Sequence, residues 1–222
     1  MTASEARRTF ETDLVSLQDD LRQMGAVVED MLAKSMQALD KRDAELARQV
    51  EDMDDIVDQY NIDIEAKSLR LLALQQPMAR DLRTIAAAMK IITDVERAGD
   101  YAVDISKIAE KLTTEPLFKP LVDLPRMTDT VKEMLREALV AFVTHDLALV
   151  QRMIAHDDEV DRLYRKLYDE LISYIKKDTS ITEQAVGLIL IARYLERMAD
   201  HVTNIGERIC YMETGELREL HT

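Results

Sequence analysis

The sequence predicts an all-α fold made of two tandem, pseudo-symmetric three-helix bundles. Three observations indicate this fold: a helix-forming composition, a cluster of prolines near the middle of the chain, and an internal repeat. The 222 residues include only 5 Gly, 4 Pro and 5% aromatic residues, whereas strong helix formers such as Ala, Leu, Met, Glu, Lys and Arg are abundant. A chain of this length buries enough apolar surface to fold without disulfides.

The proline cluster divides the chain into two halves. Three of the four prolines fall in residues 113–125, TTEPLFKPLVDLP. A proline inside a helix removes a hydrogen bond and clashes with the preceding turn, so this segment cannot be one continuous helix. We therefore predict a first bundle at residues 1–114, a proline-rich linker at 115–125 and a second bundle at 126–222.

The two halves repeat one sequence pattern. ALDKRDAELARQVEDMDDIVDQY, from Ala38, matches AFVTHDLALVQRMIAHDDEVDRL, from Ala141, at an offset of 103 with seven identities. ERAGDYAVDI from Glu96 matches ERMADHVTNI from Glu196 at an offset of 100, so the second copy lacks three residues between the two blocks. This self-similarity indicates a duplicated structural unit, and the missing residues fall where a loop is expected.

Each copy of the unit predicts three helices. The six predicted spans are 8–40, 43–74, 78–112, 121–144, 146–177 and 181–214. Asp43 and Asp146 suit the N-cap of the second helix in each copy, and Pro77 suits the first turn of the third helix. Ser180 and Glu183 have the S-x-x-E spacing of a capping box for the last helix. Long helices joined by short turns pack antiparallel, as in a bundle.

Pairs of acidic residues lie close to the apolar faces of four helices. On the third helix the apolar positions alternate by three and four residues, and Glu96 occupies the one between Ile92 and Gly99. Asp100 and Asp104 follow at intervals of four, about 40° and 80° around the helix from Glu96. The other three helices carry pairs with the same acid-x-x-x-Asp spacing: Asp54 and Asp58, Asp157 and Asp161, and Glu196 and Asp200.

Facing acid pairs on neighbouring helices would gather four carboxylates, which repel one another unless a positive group compensates them. Salt bridges to Arg97 and Arg197, full solvation or partial protonation would each explain a single pair. Four pairs at matching places in a duplicated unit favour a cation site instead. Oxygen ligands suit Mg, Mn or Ca, and bridging carboxylates also suit Fe or Zn. His156 and His201 are candidates for nitrogen ligands.

Charge and hydropathy limit the partners and the location. The formal net charge of -14 argues against nucleic acid and anionic lipid, whose binding depends on Lys and Arg. The longest strongly apolar run, residues 185–192, is far shorter than the ~20 residues that cross a bilayer. The lone Cys210 cannot form an intrachain disulfide, and the opening MTASEARRTF does not resemble a signal peptide. We expect a cytoplasmic protein that reaches a membrane only through protein partners.

Short motifs spread over almost the whole chain are similar to those of one known family. QQPMARDLR from Gln75, the repeated ERAGD and ERMAD, and HDDEVD from His156 together resemble motifs of the PhoU family, regulators associated with bacterial phosphate-specific transport. The resemblance implies two symmetric three-helix bundles. It also implies multinuclear iron or zinc clusters on the paired acids: Asp54, Asp58, Glu96, Asp100, Asp157, Asp161, Glu196 and Asp200.

The resemblance further implies a non-enzymatic adaptor and its partners. Such a protein helps the phosphate ABC transporter and a sensor histidine kinase to suppress phosphate-starvation signalling when phosphate is plentiful, commonly as a homodimer. The chain departs from the family pattern at Ala199, where Gly is usual, and at Asn204, which stands where the first copy has Asp104. With Asp104 as a further ligand and Asn204 as its uncharged counterpart, we expect the second site to hold fewer or weaker metals.

Two other classes of function are weighed against the adaptor. A carboxylate-bridged metal oxidase or hydrolase needs an open coordination position and a general base. The sequence offers no E-x-x-H, nucleophile motif or Gly-rich phosphate loop in its support. A phosphotransfer bundle needs a reactive histidine on an exposed helix face, and neither His145 nor His201 has a convincing setting.

Overall fold

The computed structural model describes residues 3–75, 77–216 and 219–220 and confirms the all-α fold of two three-helix bundles. Those residues contain no β-strand. The six helices are α1 (Ala3–Lys41), α2 (Ala44–Gln75), α3 (Arg80–Leu112), α4 (Asp123–Thr144), α5 (Leu147–Lys177) and α6 (Thr182–Thr214). None of these helices combines the length and the apolar character that crossing a bilayer requires.

The two bundles pack side by side around one continuous apolar core. Helices α1, α2 and α3 contact one another, as do α4, α5 and α6, and the halves meet where α3 packs on α6 and α1 packs on α4. At the α1–α4 contact, a Cβ on Gly25 would overlap the Cδ1 of Leu139, so the two helices approach closely there. The pair of α3 and α6 therefore forms the centre of the molecule.

The helix-free segment between the halves is shorter than the predicted linker. Helix α3 ends at Leu112 and α4 begins at Asp123, which places Pro125 in the first turn of α4. A proline is tolerated there because the first N–H groups of a helix have no intrahelical partner. The domain boundaries at residues 114 and 126 stay a prediction.

The caps predicted for the second helix of each bundle are confirmed. The Oδ1 of Asp43 accepts hydrogen bonds from the backbone N–H groups of Glu45 at 3.0 Å and Leu46 at 3.2 Å. The Oδ1 of Asp146 accepts from the N–H of Ala148 at 2.8 Å. Both aspartates satisfy donors that the start of a helix otherwise leaves unpaired.

The predicted role of Pro77 is wrong. Pro77 lies outside α3, which begins only at Arg80. The intervening Ala79 has a φ of 48°, a backbone conformation that a regular right-handed helix cannot include. The chain therefore turns at Ala79 before the helix starts.

The capping box predicted for the last helix is also wrong. The Oδ1 of Asp178 accepts hydrogen bonds from both the backbone N–H and the hydroxyl of Ser180, at 2.9 and 2.7 Å. This local bonding ends α5 and starts a short 3-10 turn at Thr179–Ile181, after which α6 begins at Thr182. The side chain of Asp178, two residues earlier, thus engages Ser180, which is no longer available to cap α6.

Candidate functional site

The first acid cluster lies where α2 meets α3 and consists of Asp54, Asp58, Glu96 and Asp100. Burial is the main cause that raises the pKa of Asp54, and the charges of Asp58 and Asp100 raise it further. Burial likewise raises the pKa of Glu96, with the charges of Asp100, Asp58 and Asp54 acting in the same direction. The two helices therefore bring the four predicted ligands close enough to repel one another.

Basic side chains offset part of this repulsion in the first cluster. The guanidinium of Arg97 donates a hydrogen bond to the Oδ2 of Asp100 at 2.9 Å and holds down the pKa of Glu96. The charge of Lys107 holds down the pKa of Asp54. Because the pKa values of both acids remain raised, burial and the neighbouring carboxylates outweigh these cations.

The second acid cluster occupies the equivalent place between α5 and α6, where the charges of Asp200 and Asp161 act on Glu196. Asp157 lies four residues before Asp161 on α5. Burial is again the main cause that raises the pKa of Glu196, followed by the charge of Asp200. Arg193 pairs with the Oε1 of Glu196, and Arg165 with the Oδ2 of Asp161 at 2.6 Å. The other carboxylate oxygen of Glu196 is buried and accepts no hydrogen bond from the described residues.

The two clusters have the donor chemistry of a cation site without a formed set of ligands. Carboxylate oxygens from two helices, raised pKa values and the unpaired Glu196 oxygen all suit a bound cation. Within the part of the chain that the structure describes, however, no three Asp, Glu, His or Cys side chains are arranged to hold a metal ion. The side chains would have to turn toward one another, and Arg193 would have to release Glu196, so the metal ligands stay a prediction.

Asp104 and Asn204 lie at the contact between the bundles. Burial mainly raises the pKa of Tyr194 on α6, and the charge of Asp104 on α3 adds to that effect. The side-chain amide of Asn204 donates to the Oδ1 of Asp94 at 3.4 Å. Asp104 of the first bundle thus lies near Tyr194 of the second, and Asn204 of the second bundle lies near Asp94 of the first. The offset of 100 makes these two contacts equivalent, so the two bundles meet symmetrically.

Aromatic and charged side chains complete this contact between α3 and α6. The rings of Tyr101 and Tyr194 stack with centroids 5.6 Å apart, and His201 lies 5.8 Å from Tyr101. The Nδ1 of His201 is 2.9 Å from the Oδ1 of Asp94, and the proximity of Tyr101 raises the pKa of Arg197. Sequence reasoning missed this set because its members come together only when the two bundles pack.

The two histidines considered as metal ligands have other neighbours. His201 contacts Asp94 on the opposite bundle. The Nδ1 of His156 lies 3.7 Å from the Oε2 of Glu137 on α4. Asp94 and Glu137 belong to neither acid cluster, so these contacts direct both histidines away from the paired acids.

Known proteins share both the sequence and the architecture. The PhoU domain profile matches twice, at residues 21–109 and 124–209. The chain is 37% identical over 216 residues to the "Phosphate-specific transport system accessory protein PhoU homolog" of Clostridium acetobutylicum, covering 97% of this chain and 99% of that protein. It is 38% identical over 205 residues to the protein of the same name from Aquifex aeolicus, covering 92% and 93%.

Solved structures show the same fold. The crystal structure of PhoU from Pseudomonas aeruginosa superposes with a TM-score of 0.88 at 33% identity, covering 93% of this chain and 100% of that one. The phosphate transport system regulatory protein PhoU from Streptococcus pneumoniae superposes with a TM-score of 0.87 at 32% identity, covering 94% and 99%. These likenesses extend over both bundles.

Proposed function

The chain belongs to the PhoU family, and from that premise we propose that it is an accessory protein of phosphate-specific transport. The observation that carries this proposal is the full-length similarity to relatives named for that role, at 37% and 38% identity. The family is named for accessory proteins and not for a catalysed reaction. The protein is accordingly not an enzyme, and nothing in the described residues favours a metal oxidase or hydrolase over this role.

The finer proposal is that the protein restrains phosphate uptake and starvation signalling when phosphate is plentiful. It would act in the cytoplasm, as a homodimer, on the cytoplasmic side of the phosphate ABC transporter and on the sensor histidine kinase of the phosphate two-component system. The strong acidity of the chain, with a formal net charge of -14, supports docking onto basic protein surfaces.

A genetic test addresses this role directly. A bacterial strain that lacks its own PhoU-family protein is complemented with this chain, and a phosphate-starvation reporter and uptake of labelled phosphate are measured in high phosphate. Complementation should lower both signals relative to the empty vector. Unchanged signals, with the protein present at normal abundance on an immunoblot, would contradict the proposal.

A binding test addresses the transporter separately. The purified chain is added to the detergent-solubilised phosphate ABC transporter, and the bound fraction is measured across a salt series. Binding should weaken as salt rises, because acidic groups facing basic ones lose attraction when screened. Binding that is absent at low salt would remove the transporter from the list of direct partners.

We further propose that cations join the helices of each bundle at the two acid clusters. Multinuclear iron or zinc is the leading assignment, with Mg, Mn or Ca as alternatives. Burial and neighbouring carboxylates raise the pKa values of Asp54, Glu96 and Glu196. A cation there would offset the repulsion among the carboxylates and would connect α2 to α3 and α5 to α6. Asp104 and Asn204 face the other bundle, so the proposed sites are built from the paired acids: Asp54, Asp58, Glu96 and Asp100, then Asp157, Asp161, Glu196 and Asp200.

A further inference from the structure

The C-terminal part of α2 is apolar on two opposite faces. Its inner face is buried in the first bundle and carries Ile64, Ser68 and Leu71. Its outer face is exposed and carries Ile62, Ala66, Leu69 and Ala73. We call these four outer residues the α2 stripe; Ile62 is 60% exposed and Leu69 is 52% exposed.

The α2 stripe has the spacing of a contact between two helices. Its members follow one another at intervals of four, three and four residues, which is the pattern of a coiled-coil seam. At 100° per residue the four side chains fall within a sector of about 60°. A helix face that only meets water does not need such a narrow apolar line.

The second bundle does not repeat the α2 stripe. At the offset of 103, the equivalent positions of α5 are Arg165, Asp169, Ile172 and Lys176. The inner positions remain apolar in both copies, as with Ile64 and Leu167, which are both buried. Folding of the repeated unit therefore requires the inner face but not the outer one, and the stripe serves a role of the first bundle alone.

We propose that the α2 stripe is the surface on which a second copy of this chain binds, with the two α2 helices antiparallel. The twofold axis would cross the stripe midway between Ala66 and Leu69. This inference rests on the homodimer proposed above and names its surface. In this register Ile62 would meet the partner's Ala73, and Ala66 would meet the partner's Leu69. Each large side chain then packs against a small one, and the helices can approach closely.

The charges beside the α2 stripe suit the same pairing. Asp63 and Arg70 lie on one flank of the stripe, one heptad apart, and both are exposed. In an antiparallel pair related by a twofold axis, this flank faces itself, so each Arg70 would lie near the partner's Asp63. A symmetric surface thus carries its own charge complement, which a surface for an unrelated partner does not need.

A parallel pair fits the α2 stripe less well. A parallel pair would also form an ion pair, since Glu65 would face the partner's Arg70. It would, however, stack Ala66 on Ala66 and Leu69 on Leu69, so that wide and narrow layers alternate and leave gaps. Side-chain size therefore selects the antiparallel arrangement.

The extent of the α2 stripe predicts a dimer that depends on concentration. A standard stable interface buries about 1,200–2,000 Å² in total, and three turns of one helix per subunit supply only part of that area. Sedimentation velocity of the full chain over a concentration series should show a shift from monomer to dimer. Wild-type protein that stays monomeric throughout would overturn the inference.

The surface is tested with Leu69→Glu and a matched control. Leu69→Glu places a charge in the middle of the α2 stripe and should leave the protein monomeric where the wild type dimerises, with an unchanged circular dichroism spectrum. Leu190→Glu makes the same change at a residue of α6 that is 41% exposed, and it should leave the dimer intact. A dimer that persists in Leu69→Glu would overturn the surface while leaving the proposed homodimer standing.

The register is tested by cross-linking in a Cys210→Ser background. Ile62→Cys mixed with Ala73→Cys should be joined by a short bis-maleimide reagent. Ile62→Cys alone should not be joined, since the register sets the two copies of residue 62 about 16 Å apart along the helix axis. Cross-linking of residue 62 to itself would overturn the antiparallel arrangement. A further outcome combines sedimentation with the phosphate-starvation reporter. If the wild type is monomeric and Leu69→Glu no longer represses the reporter, the stripe binds another partner and the dimer is overturned.

Discussion

Replacing Gly99 with alanine should stabilise the protein. The substitution gives the first motif, ERAGD, the residue that the second motif has at Ala199. A Cβ on Gly99 would lie 3.4 Å from the nearest Val57 methyl and 3.7 Å from a Val28 methyl, both ordinary van der Waals distances. Glycine inside a helix costs about 1 kcal/mol relative to alanine, and burial of the new methyl group contributes about 0.8 kcal/mol.

The expected gain for Gly99→Ala is therefore about 1–2 kcal/mol. For a chain of this size, each kcal/mol moves the melting temperature by about 2–4 °C. Urea denaturation followed by circular dichroism should show a higher midpoint with an unchanged slope, and a thermal melt should show the matching shift. We expect no clash to offset the gain, because the new Cβ would lie at ordinary contact distance from the methyl groups of Val57 and Val28.

A matched variant, Gly25→Ala, should behave in the opposite way. Its Cβ would overlap the Cδ1 of Leu139 at the contact between α1 and α4. Overpacking costs about 1–3 kcal/mol, which meets or exceeds the gain in helix propensity of about 1 kcal/mol. If Gly99→Ala were as destabilising as Gly25→Ala, the inference that Gly99 has room for a methyl group would be refuted.

Three further predictions follow from the caps and the first acid cluster. Asp43→Ala should lower the free energy of unfolding by about 1 kcal/mol in urea, since it removes the N-cap of α2. Burial and like charge raise the folded-state pKa values of Asp54 and Glu96, so their ionised forms destabilise the fold. The melting temperature of chelator-treated protein should rise as pH falls through these raised pKa values toward the ordinary carboxyl range, and the double variant Asp54→Asn, Glu96→Gln should flatten that rise. Elemental analysis should show that Glu96→Gln with Asp100→Asn lowers iron or zinc content by at least about half, because the second site is expected to hold fewer or weaker metals. The exposed Asp55→Asn should leave the metal content unchanged. Equal metal content in both variants would exclude the first cluster as a site.

Local sequence patterns predicted the helices and most of their ends. The caps at Asp43 and Asp146 need only one side chain and the next few N–H groups, so sequence alone identifies them. The capping box at Ser180 failed because the carboxylate of Asp178, two residues earlier, accepts the hydrogen bonds of Ser180. The internal repeat predicted two equivalent bundles, because a duplicated sequence with the same apolar positions buries the same face.

The side-chain surroundings of the candidate site were harder to predict. Periodicity brought Asp54 near Glu96, since it fixes which face of each helix meets the other. It could not place Asp104 near Tyr194, or His201 beside Asp94, because those contacts depend on how the two bundles dock. The offset of 100 shows that residues 94 and 194 are equivalent, but it does not show which residues of the two bundles touch. That depends on how the bundles dock.

The contact between α3 and α6 has the arrangement of a contact between two identical subunits. Residue 94 meets residue 204 while residue 104 acts on residue 194, and this reciprocal crossing is how two identical subunits meet in an isologous pair. The two sides differ in their side chains, since His201 faces Asp94 whereas its counterpart Tyr101 stacks on Tyr194. The two bundles of one chain thus meet as two subunits of a symmetric dimer would, with side chains that need not be identical on the two sides.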